Sequence, residues 1–245
     1  MPEEKKILIC GDPHGYFEYA ARSAEMHGAE AVIFAGDQCP SRPLEEIVSR
    51  YGFSCPVYYI LGNHDSDREE WLENHLGMQE QNLHCRIKDI AGIKVAALGG
   101  VFRASVWHPR QEESPRFYTR KDLLAHARPQ TRFRQWLPRK HWTTIFPEDL
   151  DSLRAQGRAD VLLCHEAPST HRHGFREIDH LAGDIGVQMI IHGHHHRHYQ
   201  ARLENGIQVV GLGISSAGMF VLSTSFLEKQ QHDEKIKPEK MTATD

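Results

Sequence analysis

Histidine, aspartate and asparagine collect at five points of this sequence, each directly behind a short apolar run and most behind a glycine. Residues 7–10 lead into Gly11-Asp12-Pro13-His14, residues 31–35 into Gly36-Asp37, and residues 57–61 into Gly62-Asn63-His64-Asp65. Residues 161–164 end at His165, and residues 189–191 at His192-Gly193-His194-His195-His196. A mixture of imidazole nitrogen with carboxylate and carbonyl oxygen suits manganese, iron, zinc or cobalt. Magnesium and calcium prefer all-oxygen shells, and a structural zinc site would use cysteine. On extended chain, residues two apart face the same way. Asp12 with His14, and His194 with His196, are therefore each expected to hold one ion, with His195 pointing elsewhere. The seven donors Asp12, His14, Asp37, Asn63, His165, His194 and His196 exceed what one ion takes from protein while keeping positions open, so two metals are expected. Two divalent ions against two carboxylates leave a positive centre, and phosphate esters are its natural guests.

Something must bring these endings together. Apolar runs rich in β-branched residues at 7–10, 31–35, 57–61, 93–98, 161–164, 189–191, 207–210 and 219–222 read as buried strands, and 16–26, 44–51 and 66–76 carry helical patterning. Alternation of strand and helix implies an α/β fold with a largely parallel sheet and helices outside. After residue 83 the strands crowd together, and Asn205-Gly206 is a hairpin signal between 199–203 and 207–210, which adds sheet packed on sheet. Ligands of open α/β sheets sit beyond the carboxyl ends of the strands, so all five endings can reach one place.

The ordered set DxH, GD, GNHD, H and GHxH, spanning residues 11–196, resembles the calcineurin-like metallophosphoesterases. The resemblance implies a two-sheet sandwich flanked by helices, an αββα arrangement with a dinuclear site at the sheet ends. Carried over by position, one metal takes Asp12, His14, Asp37 and His196, the other Asp37, Asn63, His165 and His194, and Asp37 bridges. The expected activity is hydrolysis of phosphomonoesters or phosphodiesters by metal-bridged hydroxide. His64 is the expected proton donor to the leaving oxygen, and Asp65 the carboxylate that orients it. GNHD is closer to phosphodiesterase and nuclease members than to protein phosphatases, which tend to carry Glu last.

The 245 residues, 40% hydrophobic and 25% charged with a formal net charge of -4, suit one soluble domain large enough to fold without staples. No secretory h-region follows the start, and five cysteines without a CxxC read as reduced, buried thiols, so a cytoplasmic, membrane-free protein is expected. Residues 1–227 read as the catalytic domain and the polar stretch 228–245 as a mobile tail. Within the domain, 102–141 reads as an insertion carrying ten Lys/Arg against three acids, interleaved with aromatics. Arg103, Trp107 and His108 at its start, and His173 beyond His165, are candidate substrate contacts. The expected partner is a phosphorylated small molecule or nucleotide. A nuclease gripping single-stranded nucleic acid is the second reading, and a metal-binding scaffold the third; oligomeric state is left open.

Overall fold

A computed structural model of the chain describes residues 4–111, 114–225 and 227, so the tail expected over 228–245 lies outside the described residues. The first half runs β1 (Lys6–Cys10), α1 (Glu18–His27), β2 (Ala31–Phe34), α2 (Leu44–Tyr51), β3 (Val57–Tyr59), α3 (Glu69–Glu73), β4 (Arg86–Ile90) and β5 (Ile93–Leu98). The second runs α4 (Arg120–His126), α5 (Pro147–Gln156), β6 (Val161–Cys164), α6 (Arg176–Asp184), β7 (Met189–His192), β8 (Tyr199–Arg202), β9 (Gln208–Gly211) and β10 (Met219–Ser223). One sheet has the order β10-β1-β2-β3, the other β4-β5-β6-β7-β9-β8. β1, β2 and β3 are parallel, as are β5, β6, β7 and β9; β10, β4 and β8 join antiparallel at the edges.

Strand alternation explains the layering. Ile7, Ile9 and Ile33 point into a core shared with Val95, Ala97, Leu163 and Ile191 of the opposite sheet. The intervening Leu8, Val32 and Phe34 pack on Ala20, Leu44 and Ile47 from α1 and α2. On the other side Leu98, Leu162 and Ile190 pack on Leu153, Ile178 and Leu181 from α5 and α6. These strands are covered on both faces, which is why they read as unbroken apolar runs. The result is an α/β sandwich of two mixed sheets between helices.

Two elements differ from expectation. The helix expected over 66–76 is broken into a 3-10 turn at His64–Ser66, the short α3, and another turn at Leu76–Gln81. The Ser66 and Asp67 carbonyls accept from the Arg139 guanidinium at 2.9 Å each, so the first turn spends acceptors that a helix would use internally. β4 escaped notice because its sequence RIKDI is a half-exposed edge with one fully buried residue.

The insertion leaves β5 and returns to α5. Its Val106, Phe117, Leu123 and Leu137 form a small core with Phe146, while Phe102 and Phe133 join the two helix-side cores. Of the insertion's aromatics, Tyr118 and Trp136 remain exposed; most of the others hold the insertion in place. Among the described residues all five cysteines are free thiols, and no helix is long and apolar enough to cross a membrane.

Candidate metal centre

β1, β2, β3, β6 and β7 deliver their carboxyl ends to one rim, and there the backbone turns hard. Five of the seven expected donors have positive φ: Asp12 at 31°, His14 at 46°, Asp37 at 54°, His194 at 71° and His196 at 53°. Non-glycine residues avoid this region, and such strain gathers at functional sites. It also replaces the extended geometry expected of Asp12-x-His14 and His194-x-His196, and the one-ion reading fails for the second pair alone. The turns send His194 and His196 to different clusters.

In the first cluster, ligand atoms of His14, Asp37 and His196 lie within 4.8 Å of one another; in the second, those of Asp37, His165 and His194 do so. Asp37 belongs to both. His14 and His196 present their Nε2 atoms to each other at 3.0 Å, and His196 Nε2 is 3.7 Å from Asp12 Oδ2. In the second cluster His165 Nε2 lies 3.1 Å from Asn63 Oδ1 and 3.4 Å from Asp37 Oδ2.

Hydrogen bonds orient the donors from behind. His165 Nδ1–H donates to the Ala35 carbonyl at 2.8 Å, leaving Nε2 to face the cluster, the arrangement in which an outer partner fixes a ligating imidazole. Asp37 Oδ1 accepts from the His64 backbone N–H at 2.8 Å, and Asp12 Oδ2 from that of His194 at 2.9 Å. The remaining oxygens, Asp12 Oδ1 and Asp37 Oδ2, are buried without a hydrogen bond. Gly36, at φ +108°, makes the packing possible, since a Cβ there would run into the His165 ring.

The charges are correspondingly tense. Burial pushes the Asp12 carboxyl up to about 7 despite the nearby His165. Burial also opposes ionisation of Asp37, but the His165 charge outweighs it and holds that carboxyl below the usual range. His165 is raised to about 10 because Asp37 and Asp12 overcome its burial, whereas burial and His165 drive His194 down to about 2. Orphaned carboxylate oxygens gathered with imidazole nitrogens are groups that a divalent cation satisfies, and the donor set fits one.

The model of the calcineurin-like phosphoesterase family matches residues 5–198. The chain belongs to that family. It is a metal-dependent phosphoesterase, a hydrolase of phosphoric esters. An uncharacterized protein of Haemophilus influenzae is 34% identical over 226 residues, covering 89% of this chain and 97% of its own. The crystal structure of TT1561 from Thermus thermophilus superposes with a TM-score of 0.56 at 19% identity, covering 90% of this chain and 99% of that one, a likeness of fold.

Around the phosphoesterase's metal-binding rim, the expected helpers are redistributed. His64 stands beside Asn63 with its side chain half-exposed, but its partner is Asp67, whose Oδ2 is 2.6 Å from Nδ1. The expected pairing with Asp65 is therefore corrected. Asp65 is fully buried and spends both oxygens on backbone N–H groups, Cys39 and Gly62, at 2.8 Å each, tying the Asp37 loop to the Asn63 loop. Arg103 reaches Thr143 Oγ1 at 3.3 Å and keeps a buried Nε without a partner. Burial pulls its pKa down, and the nearby charges of Asp67, Asp37 and Glu166 offset part of that. Trp107 packs edge-on against Phe102 and His108 against Phe175, so both take part in packing the start of the insertion. His173 is exposed, accepts from Arg172 Nε at 2.7 Å, and sits 6.0 Å from the His195 ring. Sequence reading missed Asp67 and Arg139. His64-x-x-Asp67 is an i,i+3 pair that one helical turn brings together, but Arg139 meets residues 66 and 67 across more than seventy positions, and no local pattern announces that.

Proposed function

We propose that the chain is a dinuclear phosphoesterase that hydrolyses phosphomonoesters or phosphodiesters of small, nucleotide-like substrates. One metal position takes Asp12, His14, Asp37 and His196, and the other Asp37, Asn63, His165 and His194. The observation that carries this reading is Asp37, common to two separate donor groups. Manganese is the first choice of ion, with iron, zinc or cobalt as alternatives, given three or more nitrogen and oxygen donors of mixed kind. Bound there, a pair of divalent ions supplies a nucleophile from water near neutral pH and neutralises charge on the phosphoryl oxygens.

The chain's own residues supply the rest. His64, outside both donor groups, half-exposed and with its ring 5.6 Å from that of His14, donates a proton to the leaving oxygen. Asp67 holds its Nδ1, which turns Nε2 outward. Arg103, fixed by Thr143 and near Asp37, offers its charge to the phosphoryl group. Metal analysis of the purified protein, followed by turnover of phosphomonoester, phosphodiester and cyclic-nucleotide substrates, tests the reading. About two ions per chain and metal-dependent turnover are expected; one tightly bound ion with full activity would sink the dinuclear assignment.

A further inference from the structure

Beyond the metal-binding rim, the second half of the insertion closes around a groove of roughly 550 Å³ whose lining includes Glu69, Arg132, Phe133, Arg139, Lys140 and His141. Its charges are unusual in how they are held. Arg132 places Nε and one terminal nitrogen on the Leu124 and Ala127 carbonyls at 2.9–3.2 Å. Arg139 likewise spends Nε and one terminal nitrogen on the Ser66 and Asp67 carbonyls. A carbonyl orients a guanidinium without cancelling its charge, and in each case the other terminal nitrogen stays free to donate. Neither arginine is ion-paired among the described residues, whereas Arg134 nearby is neutralised by Glu73 at 2.9 Å. Lys140 adds an exposed ammonium, and Glu69 is the one acid in the lining. Two rigid cations and one mobile one against one carboxylate make a preorganised receptor for an anion.

The groove adjoins the chemistry. Arg139 touches the backbone of residue 67, three positions beyond His64, so that contact lies within about 11 Å of His64 along even a fully extended chain. We propose that this groove binds a second phosphate, distal to the scissile one, and that the enzyme prefers substrates carrying a distal phosphate or phosphodiester. The proposal rests on the metal-centre reading for the placement of the scissile phosphate. It turns the insertion's positive charge from general attraction into a specific subsite.

Binding of thymidine 5′-monophosphate and thymidine 3′,5′-bisphosphate to the manganese-loaded protein, measured by calorimetry, tests it without requiring turnover. The bisphosphate is expected to bind about ten-fold more tightly, the scale of one charge-assisted contact. Lys140→Glu and Arg132→Gln should each erase most of that advantage while leaving monophosphate affinity and p-nitrophenyl phosphate turnover unchanged. A melting temperature within a few degrees of the parent shows that each variant is folded, and Lys140, being exposed, stands independently of Arg132. Equal affinities for the two nucleotides in the parent overturn the proposal, as does an advantage that survives both substitutions. Failure of the metal-centre reading looks different, as loss of affinity for both nucleotides and absence of turnover. A 5′-phosphorylated oligothymidylate separates the sources: affinity beyond that of the bisphosphate assigns the groove to a nucleic-acid strand, and affinity no greater assigns it to a small nucleotide.

Discussion

His64 Nδ1 lies 2.6 Å from Asp67 Oδ2, while the neighbouring Asp65 carboxylate accepts only from the backbone of Cys39 and Gly62 at hydrogen-bond distance. Two acids two positions apart thus have separable duties. Asp67→Asn should lower kcat by about 10- to 100-fold for a poor leaving group, the usual effect of removing an outer-shell carboxylate, and much less for p-nitrophenolate, which leaves unaided. Its thermal stability and metal content should match the parent.

Asp65→Ala should behave in the opposite way. It leaves two N–H groups without their buried acceptor, each costing about 1–3 kcal/mol, so the melting temperature should fall before any leaving-group dependence changes. Denaturation and steady-state kinetics on both variants check the division. A leaving-group effect confined to Asp65→Ala would reverse it.

The pairing was hard to see because sequence neighbours are read as structural neighbours. Asp65 adjoins His64, but on a 3-10 turn the side chain three positions on, that of Asp67, comes back over His64. The same limit applied at the metal donors, where positive φ at Asp12, His14, His194 and His196 replaced the extended geometry that spacing suggested. What was legible was burial: strands such as Ile93–Leu98 and Val161–Cys164 match their apolar runs because both faces are covered. β4, exposed along one side, and the contacts of Arg139, set by tertiary packing, left no comparable trace.

The sharing of Asp37 predicts unequal losses of metal. His14→Ala removes a donor from one group only and should leave about one ion per chain. Asp37→Ala removes a donor from both and should leave neither site tightly filled. Metal content after gel filtration, read beside turnover, distinguishes them; equal loss in the two variants would contradict a bridging position.

Gly36 and Gly52 both have positive φ, at 108° and 65°, but only Gly36 faces a side chain where a Cβ would stand. Gly52→Ala meets open space and should cost about 1–2 kcal/mol from the left-handed backbone alone, with metal content unchanged. Gly36→Ala must displace the His165 ring as well. It should lose metal and activity together, and retention of both by a folded Gly36→Ala protein would show that His165 need not sit where it does.

Asp149 anchors the insertion through a different kind of pair, and it sets a pH window. Its buried carboxylate receives both terminal nitrogens of Arg120 at the start of α4 and the Phe146 backbone N–H, with His84 Nε2 3.6 Å away. Burial raises its pKa, but the charges of His84 and Arg120 outweigh this and hold it below the ordinary carboxylate range. A depressed folded-state pKa means that the carboxylate's stabilisation is present above its unfolded value, near 4, and is lost as pH falls below that toward the folded value. Arg120→Gln strands most of that charge and should destabilise the protein by about 3–5 kcal/mol at neutral pH. Because the native carboxyl is then no longer held so low, the gap between parent and variant should shrink as pH drops below about 4. Melting temperatures of both proteins between pH 7 and the acid limit of folding check this; a gap that stays constant through that range would mean that Arg120 acts by packing against Phe146 rather than by its charge on Asp149.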